Sequence, residues 1–168
     1  HHYDISEKLY DLFLEGKRQY SCAYFKNDND TLEAAQNNKI DHIIKKLDIR
    51  DNQTVLDIGS GWGGMAIEIA KKTKARVLGI TLSENQLKYS KQKAKEMNLE
   101  NQVEFKLIDY RELKSKFDRI VSVGMFEHVG KKFYRKYFKC VHDLLNENGA
   151  ALIHTIGSTD KPRDPQPW

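Results

Sequence analysis

The chain has 168 residues, a formal charge of +4 at pH 7, and 31% charged against 39% hydrophobic residues. That length holds one hydrophobic core, and the balance excludes a disordered tail. No apolar run approaches the roughly 20 residues that span a bilayer. The opening His1-His2-Tyr3-Asp4 lacks the basic and apolar regions of a secretory signal. Two cysteines, Cys22 and Cys140, make neither a CxxC pair nor a disulfide framework, the usage of a reducing cytoplasm. The excess charge sits on scattered lysines and reads as a solvated surface with a mild pull toward anionic headgroups. No nucleic-acid partner and no metal site is expected.

In chain order, residues 1–50 read as helical, with Leu9, Leu12 and Phe13 and then Ile40, Ile43, Ile44 and Leu47 on a 3.6-residue period. Asp30 with Glu33 reads as a helix start. From Thr54 the pattern becomes strand, turn and helix in repetition. Val55 to Ile58 is a buried-type strand, followed by glycines and a helix bearing Met65, Ala66, Ile69 and Ala70. Arg76 to Ile80 is a second strand, and Ser83 with Gln86 forms a capping box for the next helix. Val103 to Leu107 and Phe117 to Val123 are the third and fourth strands. A helix near Lys131–Asn146 presents a core stripe of Tyr134, Phe138, Val141 and Leu145. Asn148-Gly149 is a turn, and Ala150 to His154 a fifth strand. All three prolines, Pro162, Pro165 and Pro167, fall in the last seven residues, where regular structure is excluded.

Strands alternating with helices of this length imply an α/β fold with a doubly wound, mostly parallel, Rossmann-like sheet. Its ligand site lies at the carboxyl ends of the strands. The expected organisation is a helical segment over 1–50 packing across the site, a nucleotide-binding core over 51–158, and a proline-rich tail over 159–168.

The most informative stretch is Asp57-Ile58-Gly59-Ser60-Gly61-Trp62-Gly63-Gly64. Gly59, Gly61 and Gly64 satisfy the dinucleotide fingerprint GxGxxG. Against that reading, Asp57 stands where such loops carry an apolar residue, and the second strand ends in Thr81-Leu82, with no acid for ribose hydroxyls. An acid two residues before G-x-G is what S-adenosylmethionine-dependent methyltransferases carry. The bland alternative is a tight strand-to-helix turn with no ligand.

Five stretches occur together and in order. They are Tyr20-Ser21-Cys22-Ala23-Tyr24-Phe25, the Asp57 loop, Gly79-Ile80-Thr81-Leu82-Ser83-Glu84-Asn85-Gln86, Phe126-Glu127-His128, and His154-Thr155-Ile156-Gly157. With them the whole chain resembles the cyclopropane-fatty-acyl-phospholipid synthases and mycolic acid cyclopropane synthases. The resemblance implies S-adenosylmethionine as cofactor. Tyr20 and Ser21 would meet its methionine end above Gly59 and Gly61, with Asp57 beneath. Thr81, Leu82 and Gln86 would serve the ribose. Tyr110 and Arg111 would flank the adenine, Tyr110 standing where the family often has Trp, and Asp109 would receive the adenine amine. A bound bicarbonate would act as base, held by the Cys22 backbone, Glu127, His154 and Ile156. The family completes that site with a tyrosine, and its sheet with two strands, downstream of Trp168; the chain therefore reads as the front portion of such an enzyme.

The implied reaction adds a methylene across a cis double bond of phospholipid acyl chains. It would run at a membrane surface, in a cytoplasmic protein touching the inner face of the membrane; a homodimer is left open. Methyl attack on the alkene leaves a cation, for which Tyr20, Tyr24 and Phe126 offer aromatic faces. Ring closure then needs a base shielded from water. Duller readings stand beside each residue. Cys22 is a small buried hydrophobe, Glu127 pairs with Lys131, His154 is a satisfied core histidine, His128 is structural, and Trp62 is a core aromatic. Lys88, Lys91, Lys93 and Lys95 are a solvated face. Two other functions remain open: a relative methylating a small amine or adding a plain methyl branch, and a non-catalytic cofactor-binding module.

Overall fold

The computed structural model describes Tyr10 and residues 12–157. Five parallel strands form one sheet in the order β3-β2-β1-β4-β5. They are β1 (Thr54–Ile58), β2 (Arg76–Thr81), β3 (Val103–Leu107), β4 (Phe117–Val123) and β5 (Leu145–His154). The crossovers carry α2 (Gly64–Thr73), α3 (Glu84–Glu96) and α4 (Tyr134–Asp143), and α1 (Leu32–Leu47) precedes the sheet. From β1 the chain first winds outward through β2 and β3, then returns to place β4 on the other side of β1. The strand order therefore reverses between β1 and β4, opening a crevice above their carboxyl ends.

Two apolar layers cover the sheet. One joins Ile40, Ile43 and Leu47 of α1 with Ile69 and Ala70 of α2, Val55, Val77 and Phe105. The other sets Tyr137, Val141 and Leu144 against Leu56, Ile58, Phe117 and Ile120. Covered on both faces, β1 is buried from Val55 to Ile58, so its one acid, Asp57, goes into the interior with its apolar neighbours.

Four expectations about elements change. Residues 12–31 contain no regular helix, and Leu9 lies outside the described residues. The helix of this region starts later, capped by Thr31, whose hydroxyl accepts from the Ala34 amide; Asp30 instead accepts from the Lys26 and Asn27 amides. Along α4 and its C-cap the buried stripe is Tyr137, Val141 and Leu144, while Phe138 is half exposed. A 3₁₀ turn at Lys131–Phe133 precedes that helix, and Phe138 packs on Phe126 at its rim. Asn148-Gly149 lies inside β5, where the pairing shifts between Phe117↔Leu145 and Arg119↔Ala150. The extra residues are taken up as a bulge and not as a turn.

Candidate functional site

The crevice begins at the glycine loop. Gly59, Gly61 and Gly63 all have positive φ, which lets the chain leave β1 and enter α2 within five residues. The Gly59 and Ser60 amides both donate to the Ile80 carbonyl, at 3.0 and 2.8 Å, locking the loop onto β2. A Cβ on Gly59 would meet Met125 at 2.9 Å, whereas one on Gly61 would meet nothing within 4 Å. The loop is packed beneath and open above, the shape of a cradle for a ligand.

Above it lies a cavity of about 670 Å³, within the range of small-molecule sites. Tyr20, Ser21, Asp57, Gly59, Gly61, Thr81, Leu82, Gln86, Asp109, Tyr110 and Arg111 all border it. Every residue expected to hold the cofactor is therefore brought together around one space. Asp57 is buried, and its Oδ2 has no hydrogen-bond partner among the described residues. Burial pushes its carboxyl up to about 7, against the opposing pull of the Lys39 ammonium.

The side walls are set by local hydrogen bonds. The Thr81 hydroxyl donates to Gln86 Oε1 at 2.7 Å and accepts from the Ser83 amide. The capping box therefore closes on one side only. Ser83 Oγ accepts from the Gln86 amide at 3.4 Å, but the Gln86 side chain is turned back to Thr81. Leu82 stands exposed at the mouth. Beyond β3, Asp109 caps a 3₁₀ turn over Tyr110–Glu112. Its hydrogen bonds from the Arg111 guanidinium and amide hold its carboxyl below the usual range. Burial pushes the Tyr110 phenol up, and its ring meets Tyr137 edge-on at 5.4 Å.

A second cavity, of about 570 Å³, adjoins the first. Cys22, Glu127, His154 and Ile156 all border it. Tyr20 and Ser21 border both cavities and, with Gln19, Gly124 and His128, form the partition between them. Glu127 does not pair with Lys131. Its Oε1 accepts from the Ile156 amide at 2.7 Å. Burial raises the Glu127 carboxyl, but hydrogen bonds from Ile156, its own backbone and Thr155 outweigh that and its pKa is lowered. His154 is not a satisfied core histidine, since its buried Nδ1 has no hydrogen-bond partner among the described residues. Cys22 is exposed, and the buried-hydrophobe reading fails for it.

Of the three aromatic faces expected near the reaction, only Tyr20 borders either of these two cavities. Tyr24 lies against His42 at 5.1 Å, and Phe126 is enclosed by Tyr134, Tyr137 and Phe138. Both are placed by packing. His128, taken as structural, borders both cavities. Its place beside Glu127 was the available signal. Trp62 is buried, carries the Arg18 guanidinium 4.8 Å from its centroid, and also borders the larger cavity, so it is not a core aromatic alone. Lys39, buried in α1 beneath the partition, was not legible at all, because a lysine on a helix ordinarily faces water.

No helix among the described residues is long and apolar enough to cross a membrane. Residues 1–166 match the family described as mycolic acid cyclopropane synthetase. The cyclopropane-fatty-acyl-phospholipid synthase of Escherichia coli strain K12 is 44% identical over 99% of this chain and 42% of its own length. A probable fatty acid methyltransferase of Pseudomonas putida is 41% identical over the same shares. Among solved structures, the mycolic acid cyclopropane synthase CmaA1 complexed with SAH and CTAB superposes with a TM-score of 0.86 at 37% identity. That match covers 90% of this chain and 53% of the other. The chain thus spans less than half the length of these two curated relatives.

Proposed function

We propose, because this chain belongs to the mycolic acid cyclopropane synthetase family, that it binds S-adenosylmethionine in the larger cavity and serves methylene transfer to an acyl-chain double bond. The observation that carries the reading is the partition. A cofactor-sized cavity and a second cavity bearing Cys22, Glu127, His154 and Ile156 meet at Tyr20 and Ser21. The open cradle over Gly61 and the unpartnered Asp57 Oδ2 fit a ligand with an extended polar end.

When bound, S-adenosylmethionine supplies a methyl group already activated on a sulfonium, so the protein's task is largely one of positioning. Tyr20 and Ser21 hold the methionine end over the glycine loop. The Gln86 carbonyl is engaged by Thr81, which leaves its amide donors for a ribose hydroxyl. Leu82 would cover the sugar, and Tyr110 and Arg111 would enclose the adenine with Asp109 as acceptor. The Tyr20 ring would face the cation that methyl addition would leave on the acyl chain. Loss of a proton from the added methyl then closes the ring. Glu127, ionised at neutral pH, can accept from the hydroxyl of a small basic anion such as bicarbonate, and the unused Nδ1 of His154 can donate to it. The Cys22 and Ile156 backbones supply its further contacts. The Ile156 amide already donates to Glu127, so the anion would share that donor. The substrate is an unsaturated phospholipid, reached by peripheral contact with a membrane surface.

The Pseudomonas putida relative, named as a fatty acid methyltransferase, favours a second reading in which a plain methyl branch is added. One experiment separates the two. The protein is incubated with methyl-labelled S-adenosylmethionine, bicarbonate and vesicles of unsaturated phosphatidylethanolamine, and the fatty acids are analysed by mass. A ring product supports cyclopropanation, and a branched product the rival. Absence of any calorimetric binding of S-adenosylhomocysteine would refute both.

A further inference from the structure

The segment that separates the two cavities, Arg18 to Phe25, has no regular secondary structure of its own. Its position is imposed by one face of α1. Gln36 Nε2 donates to the Gln19 and Ser21 carbonyls, at 3.3 and 3.0 Å. One turn further on, Lys39 Nζ donates to the Ser21 hydroxyl at 2.7 Å. Lys17 Nζ donates to Asn37 on the same helix, and the Tyr24 amide to the Ala35 carbonyl at 3.1 Å. From the sheet side, a Cβ at Gly124 would lie 3.6 Å from Ser21 Cβ, so the end of β4 closes against the same point.

Gln36 and Lys39 are only 3% and 5% exposed. A buried ammonium is a poor choice for stability, because desolvating it is expensive and an apolar side chain of like volume would pack as well. Lys39 has only one hydrogen-bond acceptor among the described residues, Ser21 Oγ, and its charge also acts on Asp57 under the glycine loop. It thus links the floor of the larger cavity to the partition.

We propose that Lys39, assisted by Gln36, is a positioning residue that holds Tyr20 and Ser21 in the wall shared by the two cavities, so that cofactor binding depends on its charged hydrogen bond to Ser21. The inference rests on the cofactor reading above and adds a residue that touches neither cavity. Desolvation brings the Lys39 ammonium down to about 8, opposed by Glu15, Cys22 and Asp57, the titratable groups that act on it. The bond to Ser21 is therefore charged at neutral pH and weakens in mildly alkaline solution.

The test is calorimetric titration of the purified chain with S-adenosylhomocysteine from about pH 6.5 to 9.5, with thermal unfolding at each pH, for the wild type, Lys39→Met and Lys39→Gln. The Met variant is expected to unfold at an equal or higher temperature and yet bind about tenfold more weakly at pH 7, the worth of one charge-assisted hydrogen bond. Wild-type affinity should fall as pH rises through about 8, and in an Asp57→Asn background, which removes the cavity carboxyl that titrates near 7, both Lys39 variants should be flat there. The Gln variant, which keeps a donor without the charge, carries the same comparison if the Met variant does not fold. Variant affinities within twofold of the wild type, or an alkaline fall that survives in both variants of that background, would overturn the proposal. A wild type that binds nothing overturns the cofactor reading and this inference together; a wild type that binds while the variants bind equally overturns this inference alone.

Discussion

Replacing Asp57 by asparagine tests whether the glycine-loop acid is held in the fold against its own ionisation. The carboxyl is 2% exposed, with Oδ2 unpartnered, and burial raises its pKa from 3.8 to about 7. Because the folded-state value lies above the unfolded one, the stability it contributes is complete below about pH 4 and lost as pH rises through about 7. A shift of roughly three units at about 1.4 kcal/mol each places the full loss near 4 kcal/mol. About a third is already lost at pH 5, which leaves about 2–3 kcal/mol between pH 5 and pH 8. The substituted amide has the same shape and no such titration. The wild type should therefore lose about 5–10 °C of melting temperature relative to Asp57→Asn across that interval. Scanning fluorimetry of both proteins in matched-ionic-strength buffers measures it. A difference that stays constant from pH 5 to pH 8 would refute the account of Asp57 as a desolvated acid.

Gly63→Ala places a side chain at φ +86, 2.7 Å from Ser90 Cβ and 2.8 Å from Phe105 Cζ; the expected loss is about 2–4 kcal/mol, read from urea unfolding. Thr81→Val removes the hydroxyl joining Gln86 Oε1 to the Ser83 amide. It should lower stability by about 1–2 kcal/mol and weaken S-adenosylhomocysteine binding by calorimetry, and unchanged affinity would argue against Gln86 as a ribose contact. Glu127→Gln keeps the acceptor for the Ile156 amide but removes the charge. Product formation should fall about a hundredfold at unchanged S-adenosylhomocysteine affinity.

The features legible without the structure were those in which chemistry follows from local order. Asp57, Gly59 and Gly61 fall at one turn that few residue types can make, and the lack of an acid at Thr81-Leu82, where the second strand ends, argued against a dinucleotide. The run of alternating strands and helices implies the parallel sheet, because short crossovers admit few topologies. Cys22, Glu127, His154 and Ile156 were legible only by resemblance; nothing in their spacing says that they share a cavity.

Other features had no local signature. The α4 sequence offers aromatic and aliphatic residues on two neighbouring stripes with the same 3.6-residue period. Only contact with Leu56, Ile58 and Ile120 selects Tyr137, Val141 and Leu144 for burial. Residues 12–31 carry apolar positions consistent with a helix, yet this segment forms turns and irregular chain tied to α1 by backbone and side-chain bonds. Lys39 reads as a surface residue until the partition is seen folded over it. The amino-acid order alone thus determined the sheet and the glycine cradle, which depend on neighbours a few residues apart. The phase of the last helix, the course of the partition and the use of Lys39 depend on groups far apart in the chain, and tertiary packing alone brings those together.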